Sequence, residues 1–331
     1  MAPLKPLRPR EDAWVGVDIG GTKTAIVISP QPPEILQRLE FPTLQERGPE
    51  YALSLIIKGI RQLLNDQQIR LSTVKGIGIS CGGPLDSERG IIQAPPNLST
   101  WVDVPITRIL NTEFDLPCCL ENDANAGAVA EHRYGAGTGT HHMIFLTLGT
   151  GLGAGIIANG KLYRGAQGQA GEIGHVRLSS SGPIGYHKAG SAEGWASGAG
   201  MSQIARDLVN EALINGERTR LSTVLTERGG ITAKDVAIAA KQGDAVALKI
   251  VRVSGERLGE ALAILIDVLN PERIVLGGMG VRLGELLLEP ARSAIAREAL
   301  AGSAQGCEVV TARLGERIGD LAALCIAQDC G

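Results

Sequence analysis

Asp18-Ile19-Gly20-Gly21-Thr22-Lys23-Thr24 joins an apolar run, Val15, Val17 and Ile19, to a β-rich run from Ala25 to Ile28. Strand, glycine turn, strand reads as a hairpin. A turn of such small residues points several backbone N–H groups at one place, and Thr22 and Lys23 add donors. It is therefore a nest suited to phosphate oxygens. Asp18, at the end of a buried strand, is placed to hold Mg2+ directly or through water. The turn is not a P-loop, because no helix carrying Gly-Lys-Ser/Thr follows. A second nest, Gly149-Thr150-Gly151, lies within Leu148–Gly155, and Gly277-Gly278-Met279-Gly280 follows another strand. Each turn alone could be a plain glycine-rich turn. Together, two nests can clamp a triphosphate from both sides, and the third turn can let a helix N-terminus approach an adenosine.

The elements that must position these turns alternate. Apolar residues spaced by three and four predict a helix over Pro49–Gln67, and Gly76–Ser80 reads as a strand. Cys118–Leu120 is a short strand that leads through Glu121-Asn122-Asp123 into a helix from Ala124 to His132. Met143–Leu148 and Gly155–Ala158 flank the second nest, so a strand–turn–strand unit occurs twice. Ala245–Asn270 is the longest helix, stopped by Pro271; Arg273–Leu276 and Val309-Val310 are strands, and Asp320–Gln328 is a last helix. Alternating strands and helices imply an α/β architecture, and two similar halves imply two lobes.

Composition narrows the function. The 331 residues carry a net charge of −3, so no global field draws the chain to nucleic acid or an anionic membrane. Aromatics are only 3%, which disfavours base-stacking recognition of single strands. The most apolar segment, Leu258–Leu269, carries Glu260 and Asp267 and is too short to span a bilayer. The six cysteines form no CxxC or CxC pair, and two of them are adjacent. The expectation is reduced thiols in a cytoplasmic protein.

These residues resemble the sugar kinase, actin and heat-shock chaperone superfamily, and more closely the ROK family of repressors and sugar kinases. The resemblance runs from about Trp14 to about Asp320. Its most specific stretches are Asp18–Thr24, Glu121–Gly127, Leu148–Gly155 and Gly171-Glu172-Ile173-Gly174-His175. It implies a two-lobed actin-like ATPase fold of the ribonuclease H-like type, with the active site in the interlobe cleft. The expected lobes are 14–123, joined by a C-terminal helix 316–331, and 124–315, after a disordered tail 1–13. ATP and Mg2+ would use Asp18, Gly20, Gly21, Thr22, Lys23, Gly149, Thr150, Gly151, Gly277 and Gly278, with Asp18 reaching Mg2+ through water.

By the same resemblance Asp123 is the catalytic base. The chemistry agrees, because a sugar hydroxyl is a poor nucleophile until a carboxylate takes its proton. Asn122 or Asp123 also suits the cap of the helix that follows. Asn122 would bind a sugar hydroxyl as donor and acceptor, and Glu172, His175 and Glu193 suit the vicinal hydroxyls of a pyranose. Asn97 is a further sugar contact in the same reading, although Pro-Asn is also turn chemistry. His141-His142 matches no motif and reads as solvated surface. One departure stands out. The family places three zinc-binding cysteines just before the glutamate matching Glu193, and here those positions are Ile184, Tyr186 and Ser191. The expectation is no structural zinc, with Tyr186 and Trp195 packing the loop instead.

The function expected is an ATP-dependent hexose kinase acting on the 6-OH of glucose or a related aldohexose. The alternatives are an N-acetylglucosamine or N-acetylmannosamine kinase, a fructokinase, or a non-catalytic sugar-sensing regulator. A repressor would carry a helix-turn-helix segment ahead of the first strand, and few residues precede Trp14. A homodimer is the expected assembly.

Overall fold

The structure, a computed structural model, describes residues 12–330. The chain divides into two compact units, one comprising the residues through Tyr134 and those from Glu316, the other Gly135–Gly315. The sequence reading set the boundary after residue 123. The helix Asp123–Tyr134 instead belongs to the first unit, because the last helix, Ile318–Gln328, packs along it. The expected tail, residues 1–13, lies outside the described residues except for its last two positions.

In the first unit β1 (Ala13–Ile19), β2 (Lys23–Ser29) and β3 (Gln37–Pro42) form an antiparallel meander. After α1 (Pro49–Asp66), β4 (Val74–Cys81) adds parallel to β1. After α2 (Ile106–Phe114), β5 (Cys118–Asn122) adds parallel to β4 and runs straight into α3 (Asp123–Tyr134). The sheet order is thus β3-β2-β1-β4-β5. The central strands are buried almost without interruption, as expected when both faces are covered. α1 and α2 cover one face through Ile56, Ile60, Leu63, Ile106 and Leu110. The apolar last helix covers the other, and small residues make room for it. A Cβ on Gly16 would lie 3.0 Å from Ala323, and one on Gly78 would collide with the helix backbone.

The same docking joins Cys119 of β5 to Cys330, just past that helix, in a disulfide with Cα atoms 5.6 Å apart. This corrects the expectation of six reduced thiols. The partners are 211 residues apart in sequence, and only the packing of the last helix across β4 and β5 brings them together. Cys81, Cys118, Cys307 and Cys325 are free thiols.

The second unit repeats the pattern. β6 (Met143–Leu148), β7 (Leu152–Ala158) and β8 (Lys161–Tyr163) form a meander, and β9 (Arg273–Leu276) and β10 (Glu308–Thr311) add in parallel. Its order, β8-β7-β6-β9-β10, is the first sheet's order again. The core is built on the long helix Ala245–Leu269, which packs against Glu285–Glu298. No helix among the described residues is long and apolar enough to cross a membrane.

Candidate active site

The β1–β2 turn is closed by a hydrogen bond from the Gly20 amide to the Lys23 carbonyl, 3.0 Å. Thr43 braces it: its hydroxyl donates to the Gly20 carbonyl at 2.6 Å and its amide to the Thr22 carbonyl at 3.0 Å. Asn97 lies directly against the turn, since a Cβ on Gly21 would stand 2.6 Å from the Asn97 Cβ. Lys23 does not stand free. Its ammonium pairs with Glu40 at 2.9 Å, Glu40 pairs with Arg38 at 2.6 Å, and Arg38 pairs with Asp320 at 2.8 Å. Sequence reasoning missed this ladder; Arg38 and Glu40 share a face of β3, but nothing local ties them to Asp320.

Asp18 is partly buried at the end of β1. Burial, then the neighbouring carboxylates Asp123 and Asp320, raise its pKa to about 6, while a hydrogen bond with Ser80 and the charge of Arg38 pull the other way. Asp123 is therefore close enough to Asp18 to be felt. Asp123 opens α3, and its Oδ1 accepts the Ala124 amide at 2.8 Å. Solvent reaches its side chain, yet the surrounding protein raises its pKa by burial, against the lowering effect of backbone hydrogen bonds. The exposed face governs access for a reactant; the surrounding mass governs proton affinity.

Asn122 is where capping and binding divide by atom. Its Oδ1 accepts the amides of Ala124 at 2.9 Å and Asn125 at 3.4 Å. The oxygen thus faces the helix amides, sharing the Ala124 amide with Asp123, which leaves Nδ2 as the donor the side chain can offer. Behind it, buried Glu121 gathers three donors on Oε1: the Asn122 amide and Asn125 Nδ2, both at 3.0 Å, and the Ser87 hydroxyl at 3.3 Å. Glu121 sits in the motif and could have been found there; Ser87 and Ser80 carry no such signal.

In the second unit the β6–β7 turn carries Gly149, Thr150 and Gly151. The Gly149 amide donates to the Gly151 carbonyl at 3.1 Å. The first amides of the helix Gly198–Ile214 hold the turn from behind, Gly198 to the Gly149 carbonyl at 2.8 Å and Ala199 to the Thr150 carbonyl at 3.2 Å. Ser197 caps that helix through the Gly200 amide. A cavity of about 430 Å³ opens beside the turn, with Gly149, Thr150, Ser202, Lys234, Gly278 and Arg282 among its walls. Gly278 has φ +56°, where glycine is favoured, and a Cβ there would strike the Leu148 carbonyl. Gly277 packs on Phe145 in the same way.

Glu172 is exposed, and His175 ends a short 3₁₀ turn, Ile173–His175. The Tyr186 ring meets His175 edge-on at 5.0 Å, and Lys188 Nζ donates to the His175 carbonyl at 2.7 Å. Glu193 lies in the short helix Ala192–Ala196, capped by Ser191. Its Oε2 accepts the Leu152 amide at 3.1 Å. Ser191 is thus a helix cap, Ile184 and Tyr186 are exposed, and Trp195 is fixed by a hydrogen bond to Ser179 at 2.8 Å and by Arg257 over its ring. Among the described residues no group of three His, Cys, Asp or Glu side chains is placed to hold a metal ion. The backbone amides of His141 and His142 bind Glu272, away from these groups.

A glycine hairpin in each unit, each on a sheet of the same order, fits the actin-like ATPase fold, and the similarity to glucokinases makes the class a sugar kinase. The chain belongs to the ROK family, whose pattern matches residues 14–330. It is 37% identical to a glucokinase of Halalkalibacterium halodurans over 93% of both chains. It is 30% identical to a xylose repressor of Caldicellulosiruptor bescii, covering 92% of this chain and 75% of that one. Among solved structures it superposes on a ROK family glucokinase from Streptomyces griseus in complex with glucose and AMPPNP, with TM-score 0.78, 32% identity and coverage of 96% and 99%.

Proposed function

We propose that this protein transfers the γ-phosphoryl group of Mg·ATP to the 6-OH of glucose or a related aldohexose. The observation that carries the reading is Asp123, a solvent-exposed carboxylate at the start of α3 whose Oδ1 is held by the Ala124 amide at 2.8 Å. In this reading Asp123 takes the hydroxyl proton as the sugar oxygen attacks phosphorus, and its raised proton affinity makes it a better base than a free aspartate. The amide of Asn122, with Asn97, Glu172, His175 and Glu193, binds sugar hydroxyls; the two glycine turns and Gly277-Gly278 receive the nucleotide.

Asp18 fits an outer-sphere role toward Mg2+. Its carboxylate carries excess proton affinity from burial and from two neighbouring carboxylates, which a cation would relieve. One carboxylate and the Ser80 hydroxyl are too few for a cage, which suits an ion held mainly by phosphates and water. The ion would neutralise charge on the transferring phosphoryl group.

The test is a coupled assay with ATP, Mg2+ and a panel of hexoses that includes N-acetylhexosamines and fructose. Turnover on an aldohexose supports the reading, and the panel names the sugar. Hexose binding without any transfer would instead indicate a sugar-sensing regulator, the reading that the repressor relative supports. A homodimer belongs to the same proposal. Ile264, Val268, Leu269 and Leu300 expose apolar side chains on the second unit, and sedimentation at twice the chain mass is the expected result. The cytoplasm is the proposed compartment, because it supplies ATP. The same proposal includes folding and activity without zinc, since packing and hydrogen bonds around Trp195 brace the loop.

A further inference from the structure

The Glu193 carboxylate has two ends. Oε2 accepts the Leu152 amide at 3.1 Å, and Leu152 is the first strand residue after Gly149-Thr150-Gly151. Oε1 has no hydrogen-bond partner among the described residues. The space around the side chain is cleared by glycines from three separate segments. A Cβ on Gly151 would stand 2.7 Å from Oε2, one on Gly185 would stand 2.8 Å from the Glu193 Cβ, and one on Gly174 would stand 3.4 Å from it. The backbone is fixed as well, because Ser191 caps the short helix and the Ser197 amide donates to the Glu193 carbonyl at 3.0 Å. With its backbone and Cβ fixed and Oε2 held by the Leu152 amide, a pull on one carboxylate oxygen is felt at the other.

We propose that Glu193 is a positioning residue shared by two sites: Oε1 accepts a hydroxyl of the sugar while Oε2 sets the phosphate-binding turn through the Leu152 amide. The inference rests on the hexose kinase reading for the ligand of Oε1. Sugar binding then orders the turn before phosphoryl transfer, and the turn in turn favours sugar binding. Coupling between sites is reciprocal in affinity. A methyl group at 151 would displace Oε2 from the Leu152 amide, so Gly151→Ala probes the same arrangement.

Titration calorimetry on the full chain separates the two ends. With glucose and no nucleotide, Gly151→Ala is expected to weaken sugar binding by about tenfold, within the usual range of coupling between sites. A residue that served the phosphates alone would leave it unchanged. With a non-hydrolysable ATP analogue and Mg2+ but no sugar, Glu193→Ala is expected to weaken nucleotide binding by about 5- to 10-fold. Glu193→Gln keeps one oxygen for the Leu152 amide, so it should restore nucleotide affinity to near wild type while sugar affinity stays low. Unchanged sugar binding in Gly151→Ala, or unchanged nucleotide binding in Glu193→Ala, overturns the proposal. If the wild-type protein binds no hexose, the kinase reading fails, and the nucleotide arm still decides whether Glu193 sets the turn.

Discussion

The two glycine hairpins look alike in sequence and occupy the same place in sheets of the same order, yet they are held differently. The β1–β2 turn is surrounded by charge: Asp18 at its entry, Lys23 at its exit, and the run Lys23–Glu40–Arg38–Asp320 beside it. The β6–β7 turn has no charged residue of its own. Two helix-terminal amides and the single carboxylate Glu193 hold it. The strand order is the same in both units, and the side chains around each turn differ. One turn is flanked by charge on both sides; the other is a backbone template held by two helix-terminal amides and one carboxylate.

The largest expected effect tests the charged region. Asp123→Asn should lower kcat by about 10²- to 10⁴-fold, the usual worth of a general base, while sugar affinity changes little. Near-normal turnover would remove Asp123 as the base and leave the charged turn without its chemical purpose. Next, the first unit alone carries the disulfide, so Cys330→Ser should cost it about 2–4 kcal/mol of stability in urea unfolding. An equal midpoint for wild type and variant under oxidising conditions would show that the cross-link does not form in solution.

A paired substitution then compares the turns directly. A Cβ on Gly21 would press on Asn97, whereas one on Gly149 meets nothing within 4 Å. Gly21→Ala should raise the sugar KM roughly tenfold by displacing Asn97, a loss of about 1.4 kcal/mol. Gly149→Ala should leave the sugar KM within about twofold of wild type, under about 0.5 kcal/mol. Equal responses would mean that the two turns are equivalent after all.

Much of this was legible before the structure. The hairpins, the strand–helix junction at Asp123 and the long helix Ala245–Leu269 announce themselves through glycine placement and hydrophobic period, which are local signals. What was missed depends on contacts distant in sequence. Arg38 meets Asp320 across 282 positions, and Cys119 meets Cys330 across 211. Both follow from one event, the docking of the last helix onto the first sheet. The boundary at Tyr134 has the same origin, since α3 is held by that helix. The helix cap was read as Asn122 or Asp123, and the structure shows both side-chain oxygens accepting the Ala124 amide.

The finest distinction is in pH. In the first unit burial and like charge raise Asp18 to about 6, so the folded state binds a proton more readily than the unfolded chain. Stability from this group is greatest below the ordinary carboxylate value, near 3.8, and falls as pH rises through about 6. In the second unit Asp244 behaves oppositely. Burial raises its pKa, but the amides of Ala247 and Arg220 and the Thr219 hydroxyl more than offset this, and the net shift is downward. Its contribution is present above about 4 and is lost as pH falls through the lowered value. Asp18→Asn should therefore stabilise the nucleotide-free protein by about 1–3 kcal/mol at pH 7–8, with the gain vanishing near pH 4. Asp244→Ala removes the cap of Ala245–Leu269 and should cost about 1–2 kcal/mol at pH 7, a loss that shrinks in acid. Hydrogen exchange assigns each change to its own unit. Protection in the first sheet should rise with Asp18→Asn, and protection in Ala245–Leu269 should fall with Asp244→Ala. Parallel pH responses in the two variants would erase the contrast, because both units would then owe their stability to the same kind of carboxylate.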